Sequence, residues 1–167
     1  MKHMRSINIT KSIQQTSELL IDEIRNGKIN RKSPARSSMP SLPALKKIME
    51  LIKTIFFPGY LSEHCVREEL LDSFIIIQLE ELYDLLFEQI KKGFCYQCEN
   101  IDITLDCNNC EDISEKITTD FLSHLPLLKK TINNDVIAAY NGDPAAKNYA
   151  EIIYCYPVIK SLIHHRV

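Results

Sequence analysis

Cys95, Cys98, Cys107 and Cys110 are the residues whose type and spacing most directly imply chemistry. They form two C-x-x-C pairs, Cys-Tyr-Gln-Cys and Cys-Asn-Asn-Cys, with eight residues between them. Each pair can supply two thiolate corners of a tetrahedron, which is the donor set of a structural zinc site. The spacer is shorter than the roughly 15 to 20 residues of common zinc ribbons, so a metal here would close a tight knuckle. Four thiolates leave no open coordination position, so such a zinc would staple the chain and not catalyse. Unligated redox-sensitive thiols and a disulfide are the alternatives. Cys65 and Cys155 fall outside the pattern and read as small core residues.

Other candidates are weaker. Asp143 sits in Gly-Asp-Pro-Ala-Ala, a good helix start with Asp143 as N-cap and Pro144 at the first helical position. The adjacent His164 and His165 diverge by about 100° on a helix and cannot share one ion. They read as surface or packing residues, and His3, His64 and His124 show no partner pattern.

The elements that must position these groups read as helices. Ile13, Ser17, Leu20 and Ile24 make an apolar stripe over about Thr10 to Asn26. A Ser-, Pro- and Lys/Arg-containing linker follows, without the interleaved aromatics of a nucleic-acid patch. Pro43 suits the first turn of a helix that buries Leu45, Ile48, Ile52 and Ile55 and breaks at Phe56 to Tyr60. Ser62 can cap a long helix reaching about Ile90, with Val66, Leu70, Phe74, Ile77 and Leu85 inside. The Phe74 to Ile77 run broadens that face, which suits the centre of a bundle or a subunit contact. Beyond the cysteines, Ser114 or a neighbour starts a helix carrying Ile117, Phe121, Leu125 and Leu128, which Pro126 should kink or end. Asn133 or Asn134 would cap a short helix with Gly142 as its left-handed exit. Pro157 divides the remainder into about Ala145 to Cys155 and Val158 onward.

The expected fold is all-α: a multi-helix bundle with a small cysteine-rich hairpin insert that can bind zinc. Residues 1–41 form an amino-terminal helix and linker, and residues 42–167 the helical domain, with the insert at 93–112. Only four glycines and no tryptophan in 167 residues agree with this. A net charge of −2 gives no field to gather nucleic acid or an anionic membrane. No apolar run approaches the roughly 20 residues of a membrane span, and the first residues lack a secretory core, so a cytoplasmic location is expected.

The segment DVIAAYNGDPAAKNYAEIIYCYPVIKSLIHHRV, Asp135 to Val167, resembles the stretch that serine O-acetyltransferases carry immediately before their catalytic repeat domain. The DVIAAY helix, the GDPAA turn and the spacing from Tyr156-Pro157 to Arg166 carry the likeness. Val158 departs from it, standing where the family usually has glycine. More loosely, SLPALKKIMELIKTIFFPGY and the cysteine insert are similar to the helical front of the long bacterial forms.

The resemblance implies an enzyme of cysteine biosynthesis that makes O-acetyl-L-serine from L-serine and acetyl-CoA. In the family the acyl transfer is carried out on a left-handed β-helix of hexapeptide repeats, which these residues do not contain. No catalytic residue is therefore expected in this chain, and it should not be active alone. What transfers by motif is Asp143, the carboxylate that holds serine. Acetyl-CoA is the implied co-substrate, a homo-oligomer the implied assembly, and O-acetylserine sulfhydrylase an implied partner through regions not represented in these residues. Arg166 matches the family arginine and implies a contact to the preceding helices. A reading from another class is a free-standing, zinc-stapled helical module that regulates assembly. A redox sensor built on the C-x-x-C pairs is a third; it requires freely titrating thiols and no metal.

Overall fold

The computed structural model describes residues 2–26, 39–61, 66–100 and 109–167, and among them the fold is all-helical with no strand. The linker after Asn26, Ser62, His64, Cys65 and Cys107 lie outside the described residues. The chain divides into two compact units, Met1–Arg36 and Ser37–Val167.

The first unit carries α1, Lys2–Asn26, which begins well before the expected Thr10. Its stripe is real but exposed: Ile13 is 64% accessible, Leu20 57% and Ile24 53%.

The second unit holds α2 (Leu42–Phe56), a single 3₁₀ turn (Glu68–Leu70), α3 (Leu71–Asn100), α4 (Cys110–Gly142), α5 (Tyr149–Cys155) and α6 (Pro157–Arg166). Pro43 stands in the first turn of α2, where its missing N–H costs nothing. Ser41 does not cap α2 through its own side chain. Instead the buried Gln89 of α3 accepts the Ser41 N–H at 2.7 Å, so one helix supplies the other's cap. After Phe57 the chain turns at Gly59, whose φ of +82° lies in the left-handed region that glycine tolerates.

The core joins Ile48, Leu51, Ile52 and Phe56 of α2 to Leu82 of α3, then to Leu125, Ile132 and Val136 of α4 and Ile152, Ile159 and Ile163 of α5 and α6. Burying a side chain of this size contributes about 1.5–3 kcal/mol. Leu45 is exposed, and Leu70 and Ile77, expected inside, are 57% and 59% accessible. The stripe of α3 is therefore displaced from the expected one, toward Leu82 and Gln89.

Two boundaries differ most from expectation. Helix α3 runs on past Ile90 to Asn100, so residues 93–100 are its last turns rather than part of a separate insert, and Cys110 already opens α4. Helix α4 is continuous through Pro126 for 33 residues. A proline inside a helix costs about 3 kcal/mol. Burial of Leu125, Ile132 and Val136 on either side offsets that cost, so tertiary packing overrides the local break. Asn133 and Asn134 consequently cap nothing, and Gly142 is the last helical residue without a positive φ.

Packing makes α4 the shared element. Helix α3 lies along it, α2 packs on α3, and α5 and α6 pack against α4. Ser114 and Thr118, both fully buried, return their hydroxyls to the carbonyls one turn earlier, Cys110 and Ser114. These small, self-satisfied side chains let another helix approach closely without an orphaned polar group. Between α2 and α4, Lys129 places its ammonium 3.8 Å from the centre of the Phe57 ring and donates to Asn133 at 2.8 Å. Burial lowers its pKa to about 8.

Candidate functional site

The corner where α4 hands over to α5 and α6 holds a cluster of polar contacts. Asp143 follows the last residue of α4 in extended conformation. The turn after it, at Pro144 and Ala145, does not open a helix. Helix α5 begins only at Tyr149, and its N-cap is Asn148, whose side chain accepts the Glu151 N–H at 2.9 Å. Glu151 in turn accepts the Lys147 N–H at 2.9 Å, closing a reciprocal cap of the capping-box type.

The N-cap reading of Asp143 is thus corrected, because Asn148 has that job. Asp143 instead accepts the Ala145 N–H through Oδ1 at 2.9 Å, and the Tyr156 hydroxyl donates to its Oδ2. The Tyr156 bond first, and the Ala145 N–H second, hold the carboxyl below the usual range. The same bond, with burial, pushes the Tyr156 phenol up to about 12. The carboxylate stays charged and the phenol stays protonated at neutral pH.

Tyr156 is itself fixed from both sides. It ends α5, donating its N–H to the Ile152 carbonyl at 3.3 Å, and it begins α6, accepting from the Ile159 N–H at 3.3 Å. Pro157 then occupies the first position of α6. The Tyr140 and Tyr149 rings meet at 4.7 Å between centroids, tying the end of α4 to the start of α5. Arg166 at the end of α6 reaches back to Asp135 of α4 in a bidentate pair, with Nε at 2.8 Å from Oδ2 and Nη2 at 2.9 Å from Oδ1. The structural contact expected of Arg166 is present. His165 lies beside it, along a groove lined by Leu127, Leu128 and Thr131, while His164 turns back on the Lys160 carbonyl.

Asp143 can therefore offer one remaining lone-pair direction on each oxygen to a cation or hydroxyl. The sequence marks Tyr156 only as part of the motif that carries the family likeness, and its contact with Asp143 was missed. The two residues are thirteen apart, and no local pattern turns that separation into a contact.

At the opposite end of α4, Cys95 and Cys98 lie one helical turn apart near the end of α3, and Cys110 begins α4. The sulfurs of Cys98 and Cys110 are 3.8 Å apart. Lys91 of α3 bridges to Glu111 of α4 at 2.9 Å beside them, and that hydrogen bond raises the Lys91 pKa. Among the described residues no three His, Cys, Asp or Glu side chains converge on one metal position. No described helix is long and apolar enough to cross a membrane.

No family model matches the chain. A curated relative, the plasmid serine acetyltransferase of Synechococcus elongatus, is 31% identical over 131 residues, which cover 77% of this chain. The same alignment spans 41% of the relative's length.

Proposed function

Proceeding from that kinship with a serine acetyltransferase, we propose that this chain is the helical amino-terminal portion of a serine O-acetyltransferase of cysteine biosynthesis, a cytoplasmic enzyme. The 131-residue similarity carries the reading. In it, acetyl-CoA and L-serine react outside these 167 residues. The chain contributes assembly surfaces and one substrate-holding carboxylate, Asp143.

The corner geometry supports the role of Asp143. A carboxylate relieved of helix capping, kept ionised and fixed by donors from two directions is prepared to receive the ammonium group of an amino acid. Orientation is settled before the substrate arrives, so little entropy is lost on binding. Assembly as a homo-oligomer is supported by Ile76 and Ile77, both exposed, beside a groove formed by Leu79, Tyr83 and Leu122.

The cysteines have a separate role in this reading, a structural zinc held by Cys95, Cys98, Cys107 and Cys110. Thiolates at about 2.3 Å from zinc lie about 3.8 Å apart along a tetrahedral edge. The Cys98–Cys110 separation has that length. The metal would join the end of α3 to the start of α4.

The test is an acetyl-CoA-dependent thiol-release assay with L-serine. The full-length gene product should transfer the acetyl group and residues 1–167 alone should not. Enzyme-like turnover by residues 1–167, or none by the full-length product, would refute the proposal.

A further inference from the structure

We infer that Tyr156 is a positioning residue for serine, acting through Asp143; the inference rests on the substrate role proposed for that carboxylate. Tyr156 stands at the junction of α5 and α6, with its backbone bonded into both helices. Its ring is half-buried and packs against the core that Ile152, Ile159 and Ile163 help to form. A tyrosine has only two side-chain torsions, so a packed ring on a fixed backbone delivers its hydroxyl to one place.

That place is Asp143 Oδ2, while the Ala145 N–H holds Oδ1. Neither donor belongs to a regular helix, and they approach the carboxylate from different segments of chain. Together they set the plane of the carboxyl group and leave one acceptor direction on each oxygen. Ala145 is a near neighbour in the same turn and would move with Asp143. Tyr156 is the external reference that ties the carboxylate to the α5–α6 framework.

Tyr156→Phe removes one oxygen and keeps the ring, so the packing can persist while the orientation is lost. In the full-length enzyme its KM for serine should rise about tenfold, the scale of one hydrogen bond to a charged group. The KM for acetyl-CoA should stay within about twofold, since Asp143 does not serve that substrate. Asp143→Asn should raise the serine KM further, and the double variant should be no worse than Asp143→Asn alone, because Tyr156 has no route to serine except through Asp143. A Tyr156→Phe enzyme with unchanged serine KM, or two losses that multiply, overturns the inference. An Asp143→Asn enzyme with unchanged serine KM instead removes the reading on which it rests.

A second measurement covers the case in which Tyr156→Phe does not fold. A fluorinated tyrosine at 156 keeps the shape and lowers the phenol pKa, so ionisation would place a second negative charge against Asp143. Compared with the natural enzyme at each pH, so that the titration of serine's own ammonium cancels, the serine KM of that enzyme should climb more steeply as pH rises through the altered phenol's titration. Identical pH profiles overturn the inference.

Discussion

The two ends of α4 make different uses of polar side chains. About 50 Å of helix separates Cys110 from Gly142 at 1.5 Å per residue. At the cysteine end, Cys110, Ser114 and Thr118 are buried, and each hydroxyl is spent on the helix's own carbonyls. At the Asp143 end, the carboxylate is half-buried and its donors come from outside α4. The first arrangement can only hold helices together. The second leaves acceptor capacity for something not yet bound. Within one chain the distance also excludes a shared centre: none of the thiols at the Cys110 end reaches a molecule held at Asp143 of the same chain.

The comparison is tested most severely at the cysteine end. With a structural zinc, replacing Cys98 and Cys110 together by serine should remove about one zinc per chain and destabilise the second unit by more than about 4 kcal/mol. The serine KM of the full-length enzyme should not change. A wild-type protein with no zinc and a double variant within about 1 kcal/mol of it would leave only thiols there. Elemental analysis and denaturant titration decide the matter.

A smaller effect is expected at the other end. Arg166→Gln breaks the bidentate contact to Asp135, whose partners are only partly exposed. The loss should be about 1 kcal/mol, seen as a drop of a few degrees in Tm. No loss would mean that α6 is held by Ile159 and Ile163 alone.

The remaining effects are pH-dependent. Tyr156 has a folded pKa of about 12, above its ordinary 10. Its contribution to stability is fully present below pH 10 and is lost as pH rises toward 12. Asp143 is lowered, so its contribution is present above the usual carboxylate value and is lost as pH falls through the folded one. Tyr156→Phe should flatten both limbs. Lys129 runs in the same sense as Asp143 and opposite to Tyr156: its folded pKa of about 8 lies below 10.5, so stability rises with pH between those values. Equilibrium unfolding across pH, with Lys129→Met as reference, separates the contributions.

Helix identity was legible where a local signal and the tertiary demand agree. Pro43 at the front of α2 and Phe57-Pro58-Gly59 behind it fix both ends, and Pro157 correctly divides α5 from α6. The failures share a cause. Pro126 is a breaker by local rule, but buried residues on both sides carry α4 through it. Asp143 before proline looks like a cap, yet Asn148 with Glu151 three residues later is the stronger cap signature and takes the role. The Asp143 carboxylate was legible as a candidate only through likeness to a family. Its contact with the Tyr156 phenol was not legible, because it depends on how α5 turns back over the corner.

Pro126 also divides α4 mechanically. It contributes no amide of its own, so the Leu122 carbonyl lacks its partner one turn on, and the hydrogen-bond ladder has a missing rung between the two ends. A helix with a full ladder opens cooperatively from either terminus. In α4 the packing of Leu125, Ile132 and Val136 bridges that gap, and fraying that begins beside the cysteines can halt at Pro126, a favourable first residue for the helix that remains, before it reaches the corner that holds Asp143.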